Sequence, residues 1–226
     1  LSILNFRDLL LRTASALRDN PGLRRYLQRR YTHLLVDEFQ DTDPVQAEVM
    51  FYLTGEDCEE RDWRKLIPRP GSLFVVGDPK QAIYRFRRAD IDTYNLVKRL
   101  IRNGGGRVVH LETNFRSIPA LAGFINPVFK RVFPQDETEY QAAFAPMHTM
   151  RESVSGALAG IRRITIPYVR GHLPAEIARL DAQRIARWIR WAVDAKLTVA
   201  RSEGKASPVR PDDILVLLRY KDALAT

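Results

Sequence analysis

Asp37 and Glu38 are adjacent carboxylates set directly behind a short apolar run, "HLLV" at residues 33–36, and two further acids follow at Asp41 and Asp43. In α/β sheets, ligands gather outside the carboxyl ends of the strands. An acid placed there can hold Mg²⁺ through oxygen or water contacts, and the next acid can orient and deprotonate an attacking water. The same acids also fit a plainer role, capping a helix or facing solvent ahead of Pro44. A second word, "GDPKQ" at residues 77–81, also follows an apolar run. Gly, Asp and Pro there make a good turn, and Gln81 ends it with an amide able both to donate and to accept hydrogen bonds. Tyr84 and Phe86 then alternate with Arg85, Arg87 and Arg88. Rings beside cations suit the base faces and phosphates of a single nucleic-acid strand, without reading its sequence; the alternative packs one ring into the core. Arg116 offers a planar fork of donors that fits phosphate oxygens, or is a surface arginine ahead of a helix capped by Ser117.

The elements that must position these residues alternate through the first half. Residues 33–36 and 73–77 ("LFVVG") read as buried strands. Between them Asp43 can cap a helix, Pro44 fits its first position and Gln46 can reach back as a capping-box partner. Val45, Val49, Tyr52 and Leu53 form that helix's apolar stripe. Residues 56–71 are charged, hold Pro68 and Pro70, and read as an exposed loop. A helix over about 90–102 ends at three glycines, and residues 107–111 read as a strand. Strand–helix alternation of this kind predicts a parallel α/β sheet.

The second half is less regular. A helix from Ser117 towards Val132 precedes a long loop over 134–160, and 161–167 fits a strand. A helix over 174–194 carries Ile185, Trp188, Ile189 and Ala192 on one face; 198–211 reads as a connector and 213–218 ("DILVLL") as a buried strand. No internal repeat is present, and a domain boundary is expected near 107–111.

Bulk properties narrow the classes. The 226 residues suffice for one large domain or two modest ones. Lys and Arg number 36 against 27 Asp and Glu, a formal charge of +9; this suits a polyanion such as nucleic acid, although many basic proteins bind none. The single cysteine, Cys58, excludes an internal disulfide and points to a reducing compartment. No apolar run approaches the roughly 20 residues of a membrane span. The first residues are amphipathic, with Phe6, Leu10, Ala14 and Leu17 at helical spacing, and the chain begins without Met, as expected for a piece of something longer.

The words themselves resemble a known family. "LLVDEFQDTDPVQ" is similar to the acidic motif of superfamily 1 DNA helicases of the UvrD/Rep type; "LFVVGDPKQAIYRFRRAD" resembles the next motif of that family and "HLETNFRS" the one after it. "LNFRDLLLRTASALRDNPGLRRYLQRRYTHLLVDEFQD" looks like the lead-in to the acidic motif. "PDDILVLLRYKDAL" is similar to the strand that returns to the second motor domain. The second word is nearest the RecB/AddA branch, which processes broken DNA ends.

This resemblance implies an incomplete RecA-like (P-loop NTPase) parallel sheet with flanking helices over residues 1–109, and the beginning of a second RecA-like domain over 110–226. It implies ATP and Mg²⁺ as cofactors. Asp37 would hold the metal and Glu38 would be the base for the hydrolytic water. Gln40 and Asp41 would orient the site or be helix-start polar residues, Gln81 would sense the γ-phosphate with Asp78 in support, and Arg116 would reach the γ-phosphate from the second domain. Tyr84, Arg85, Phe86, Arg87 and Arg88 would touch the translocating strand. Ala82 and Arg88 depart from the family, which often has Ser and Gly there. Single-stranded or end-unwound DNA, nuclease or helicase partner subunits and a cytoplasmic setting follow from the same resemblance.

No G-x-x-x-x-G-K-[ST] loop occurs; "NGGGRVV" lacks the lysine and "SEGKAS" lacks the spacing and the hydroxyl. The expectation is half an ATPase site and part of a DNA track, inactive alone. The alternatives are a non-catalytic basic nucleic-acid-binding module that keeps the helicase words as scaffold, and a protein-binding domain whose basic charge meets an acidic partner.

Overall fold

The chain forms α1 (Phe6–Asp19), α2 (Pro21–Arg30), β1 (Leu34–Val36), α3 (Pro44–Thr54), β2 (Leu73–Val75), α4 (Ile91–Asn103), β3 (Thr113–Asn114), α5 (Pro119–Val132), β4 (His148–Thr149), α6 (Pro174–Asp194), β5 (Thr198–Ala200) and β6 (Ala206–Pro208). The computed structural model describes residues 4–82, 91–138, 141–165, 174–201 and 205–218. It divides into two compact units, Leu1–Leu111 with Val132–Phe144, and Glu112–Arg131 with Ala145–Thr226. Among the described residues, no helix is long and apolar enough to cross a membrane.

Local chemistry sets the helix starts of the first unit. Asn5 and Asp8 exchange side-chain and backbone hydrogen bonds of 2.9 and 3.1 Å at the start of α1. Asn20 accepts from the Leu23 amide at 2.9 Å ahead of Pro21. Asp43 accepts from the Gln46 amide at 2.8 Å while Gln46 accepts from the Asp43 amide at 3.0 Å, the capping box that the sequence predicts for α3. Leu17, Phe39, Ala47, Phe51, Tyr52, Leu66 and Val97 form the core on which these helices close. Each large apolar side chain buried there contributes about 1.5–3 kcal/mol.

Arg24 lies at the centre of this unit, fully buried. Its guanidinium donates to the carbonyls of Leu17 (3.0 Å), Asp57 (3.1 Å), Glu60 (2.8 Å) and Arg18 (3.3 Å) and sits 4.3 Å over the Tyr52 ring. Those bonds pin residues 56–71, which are therefore not the free exposed loop of the sequence reading. Trp63 packs on Phe51 with ring centroids 5.4 Å apart, and Leu66 is buried.

β1 and β2 are parallel, with Leu34 opposite Leu73, Leu35 opposite Phe74 and Val36 opposite Val75. Alternation turns Val36, Leu73 and Val75 towards the core, and leaves Leu35 73% and Phe74 61% exposed. The strands are thus covered on one face only, where the apolar runs predict burial on both.

In the second unit β3 pairs with β4 in parallel and β5 with β6 antiparallel. The fold is therefore mixed α/β with small sheets, not one extended parallel sheet, among the described residues. Three expectations change. Residues 107–111 form no strand, and Val109 and Leu111 are exposed. Residues 161–165 form none either, and 166–167 lie outside the described residues. After a short 3₁₀ turn at Pro211–Asp213, residues 214–218 run without a ladder and Leu215 and Leu217 face solvent. An apolar run becomes a strand only where a partner completes its hydrogen bonds. The supposed connector and loop hold β5–β6 and β4 instead.

Candidate functional site

The parallel pairing of β1 and β2 brings the ends of both strands, and hence both acidic words, to one place. The Val76 amide donates to the Val36 carbonyl (2.8 Å) and the Phe39 amide to the Val76 carbonyl (2.9 Å), so pairing continues past the strands. Asp37 and Glu38 leave β1 exposed. The Asp37 carboxylate accepts from the Glu38 amide at 2.9 Å through Oδ1, and its other oxygen has no hydrogen bond among the described residues. Glu38 itself is left-handed, φ 52°, ψ 40°, a conformation that costs a non-glycine residue on the order of 1–3 kcal/mol and is found clustered at active sites and ligand clamps.

Gln40 is buried at 4% exposure and braces that turn with both ends of its amide. Nε2 donates to Glu38 Oε2 at 2.6 Å, and Oε1 accepts from the Asp78 amide at 2.9 Å. Asp78 accepts in turn from the Lys80 amide (3.0 Å) and from Gln81 Nε2 (3.2 Å). Glu38, Gln40, Asp78 and Gln81 are consequently joined in one hydrogen-bonded chain. Gly77 has to be glycine for this: a Cβ there would lie 2.9 Å from Gln40 Oε1 and 3.2 Å from its backbone nitrogen. Tyr94 of α4 closes the underside, its ring 5.8 Å from Phe39 and its hydroxyl donating to the Gly77 carbonyl at 3.4 Å. Burial pushes the Tyr94 phenol above its ordinary pKa, with Asp78 and Glu137 adding to the effect.

The four acids separate by environment. Asp43 is consumed as the cap of α3. Asp41 Oδ1 is buried without a hydrogen-bond partner among the described residues, an orphan that costs about 1–3 kcal/mol if left unmatched. An unbonded Asp37 oxygen and an orphaned Asp41 oxygen are hard donors that fit Mg²⁺ by type, since that ion takes one or two carboxylates and leaves its other positions to water and phosphate oxygens. No group of three or more His, Cys, Asp or Glu side chains gathers into a closed cage among the described residues. Tyr84, Arg85, Phe86, Arg87 and Arg88 lie outside the described residues.

Arg116 belongs to the second unit, exposed on the turn after β3. Asn114 Oδ1 accepts from the amides of Arg116 and Ser117, both at 2.8 Å. These bonds make an Asx turn ahead of α5; the helix begins only at Pro119, so Ser117 lies two residues before it and is not at the capping position expected of it. Arg151 fixes the turn from outside: its guanidinium donates to the Arg116 carbonyl (3.2 Å) and to the Ala200 carbonyl of β5 (3.0 Å). Sequence reasoning passes over Gly77, Tyr94, Asn114 and Arg151. An Asx turn is legible in Asn114, two residues before Arg116; nothing local marks Arg151.

Residues 2–101 match the family model described as the UvrD/REP helicase N-terminal domain, and over those residues the chain is similar to the UvrD/Rep helicases. More particularly, it is 32% identical over 204 residues to an ATP-dependent helicase/nuclease subunit of Bacillus cereus (strain G9842), covering 85% of this chain and 16% of that protein. The corresponding helicase/nuclease subunit of Bacillus cytotoxicus (strain DSM 22905 / CIP 110041 / 391-98 / NVH 391-98) is 32% identical over 215 residues, 90% of this chain and 16% of the relative. That of Bacillus anthracis is 31% identical over 204 residues, with 85% and 16% covered. The chain therefore spans 16% of the length of these relatives.

Proposed function

We propose that the chain supplies part of the motor of an ATP-dependent DNA helicase or translocase of DNA repair or recombination. Residues 1–109 would contribute the later part of one RecA-like domain and 110–226 the beginning of the next. The observation that carries this reading is the hydrogen-bonded chain from Glu38 through Gln40 to Asp78 and Gln81. In this reading Glu38 is the carboxylate that takes a proton and Gln81 the amide that reads a phosphate, and the hydrogen bonds between them support their acting together.

In the proposed mechanism Asp37 would hold Mg²⁺, with Gln40 and Asp41 orienting the site. Bound Mg-ATP supplies the phosphoryl group whose transfer to water drives the motor. Glu38 orients the attacking water and accepts its proton, and Gln40 holds the Glu38 carboxylate in its left-handed turn while keeping Gln81 in register through Asp78. Arg116, exposed and preset by Asn114 and Arg151, offers its guanidinium fork to the developing negative charge. Tyr84 and Phe86 stack on bases of single-stranded or end-unwound DNA, and Arg85, Arg87 and Arg88 meet its phosphates. The relatives are subunits by name, so a nuclease or helicase partner belongs to the proposal, as does a cytoplasmic setting. Lacking a phosphate-cradling loop, the chain by itself does not hydrolyse ATP.

The test is a chimera in which this chain replaces the matching segment of the Bacillus cereus relative. DNA-stimulated ATP hydrolysis that Glu38→Gln abolishes is expected. A folded chimera that binds DNA but hydrolyses no ATP in either form favours the non-catalytic nucleic-acid-binding module instead.

A further inference from the structure

Residues 132–144 belong to the first unit, although the chain enters them from α5 and leaves them towards β4. The segment is tied to itself. The Phe144 amide donates to the Pro134 carbonyl at 2.7 Å, the Gln141 amide donates to Thr138 Oγ1 at 3.0 Å, and Ala142 is buried. A loop closed in this way holds its shape, and it brings Glu137 onto α4. There Glu137 accepts from Lys98 Nζ through both carboxylate oxygens, at 2.8 and 2.9 Å.

Lys98 is not a free surface lysine. Its side chain is 19% exposed. It follows Tyr94 by one helical turn, with Nζ 5.8 Å from the centroid of that ring. Tyr94 in turn packs on Phe39 and reaches the Gly77 carbonyl. At 3.4 Å that hydroxyl bond is long, so it does not fix the ring by its own strength. The ring is placed by its neighbours, Phe39 and the Lys98–Glu137 pair. Asp78 and Glu137 both add to the burial that raises the Tyr94 phenol, which puts Tyr94 within reach of both carboxylates. An ion pair near the surface contributes little to stability, but the position of this one gives it leverage. Gly77 opens the turn whose Asp78 amide donates to Gln40 and whose Gln81 side chain donates to Asp78.

We propose that Glu137 is a positioning residue for the Gly77–Gln81 turn, acting through Lys98 and Tyr94, so that the loop over 132–144 governs how firmly Gln81 is held. The contacts stand within the first unit alone; their consequence for catalysis rests on the ATP-hydrolysis reading.

Amide hydrogen exchange in the 226-residue chain reads this relay directly. Glu137→Gln keeps the size of the side chain and removes the charge that holds Lys98. It should speed exchange at Asp78 and Gln81 about two- to fivefold, the scale of a partly exposed ion pair, while the amide of buried Phe51 keeps its rate. Lys98→Met should speed it further, because the Glu137 carboxylate is then uncompensated near Tyr94. Adding Glu137→Gln to Lys98→Met should slow exchange again, since no charge is left unpaired; two independent packing defects would add instead. In the Bacillus cereus chimera, Lys98→Met should lower kcat for ATP hydrolysis by a similar factor with KM for ATP unchanged, and the double variant should recover part of it. Unchanged exchange at Asp78 and Gln81 in both single variants would overturn the proposal, as would defects that simply add in the double variant. An active chimera whose kcat ignores Lys98→Met would overturn it too. A chimera inactive with Lys98 and Glu137 intact would count against the ATP-hydrolysis reading, and the exchange rates would still decide the relay.

Discussion

Both units present a side chain from a turn at the end of a parallel strand pair, and they hold that turn by opposite means. In the first, the turn carrying Glu38 is braced from within by Gln40, an amide buried over a core that includes Phe39, Phe51 and Tyr52. In the second, the turn carrying Arg116 is held by Asn114 and Arg151 through bonds at the surface, and the buried apolar residues described are only Ala122, Ala192 and Val209. In the proposed reading Glu38 takes a proton, and a base gains from a rigid, preorganised bed. The arginine proposed to meet phosphate would need its backbone fixed and its guanidinium free.

The contrast can be broken at its base first. Phe51→Ala removes a fully buried ring that Trp63 and the core rest on, and should lower stability by about 3–5 kcal/mol in urea unfolding of the first unit, with the second unit's transition unmoved. Gln40→Glu keeps an acceptor for the Asp78 amide but replaces the donor to Glu38 with a second negative charge. A loss of about 1–3 kcal/mol is expected, with faster amide exchange at Asp78. An unchanged rate there would show that Gln40 braces nothing.

Arg151→Ala sharpens the other side. Its two bonds are to backbone carbonyls near the surface, so about 0.5–1.5 kcal/mol is expected, together with faster amide exchange at Arg116 and Ser117 while Asp78 stays protected. Smallest is the acid response of the second unit. Asp213 is held down to a pKa of about 2 by its hydrogen bonds from Arg201, helped by the Arg210 amide. A lowered carboxylate pKa stabilises the fold above its ordinary value of 3.8 and loses that contribution as pH falls towards about 2. Carboxyl NMR should show Asp213 titrating at about 2 in the parent chain and shifted up towards 3.8 after Arg201→Ala, with the Arg210 amide still holding it below that value.

What the sequence made legible was local. The capping box at Asp43 and Gln46 spans three residues, and the structure forms it. Asp37, Glu38 and Gln81 stood out because whole words surround them. The Gln40–Asp78 bond joins residues 38 apart, and no local pattern carries that information. Arg24, one of a pair of arginines on an otherwise charged helix, reads as solvent-facing, yet is buried because four backbone carbonyls converge on it. The errors share a cause as well. "RVVHL" and "DILVLL" are apolar enough for strands, and apolarity does not reveal whether a neighbouring strand is present to pair with. Conversely β5–β6 hides in a stretch rich in charge, glycine and proline, where alternation is too short to register.

The most direct trial is a double-mutant cycle on ATP hydrolysis in the Bacillus cereus relative carrying this chain, comparing Glu38→Gln, Gln81→Ala and both together. Side chains serving one reaction centre lose their effect together, so the double variant should be scarcely slower than the worse single one. Losses that simply multiply would mean that Glu38 and Gln81 act independently, and that the hydrogen-bonded chain between them is structural only.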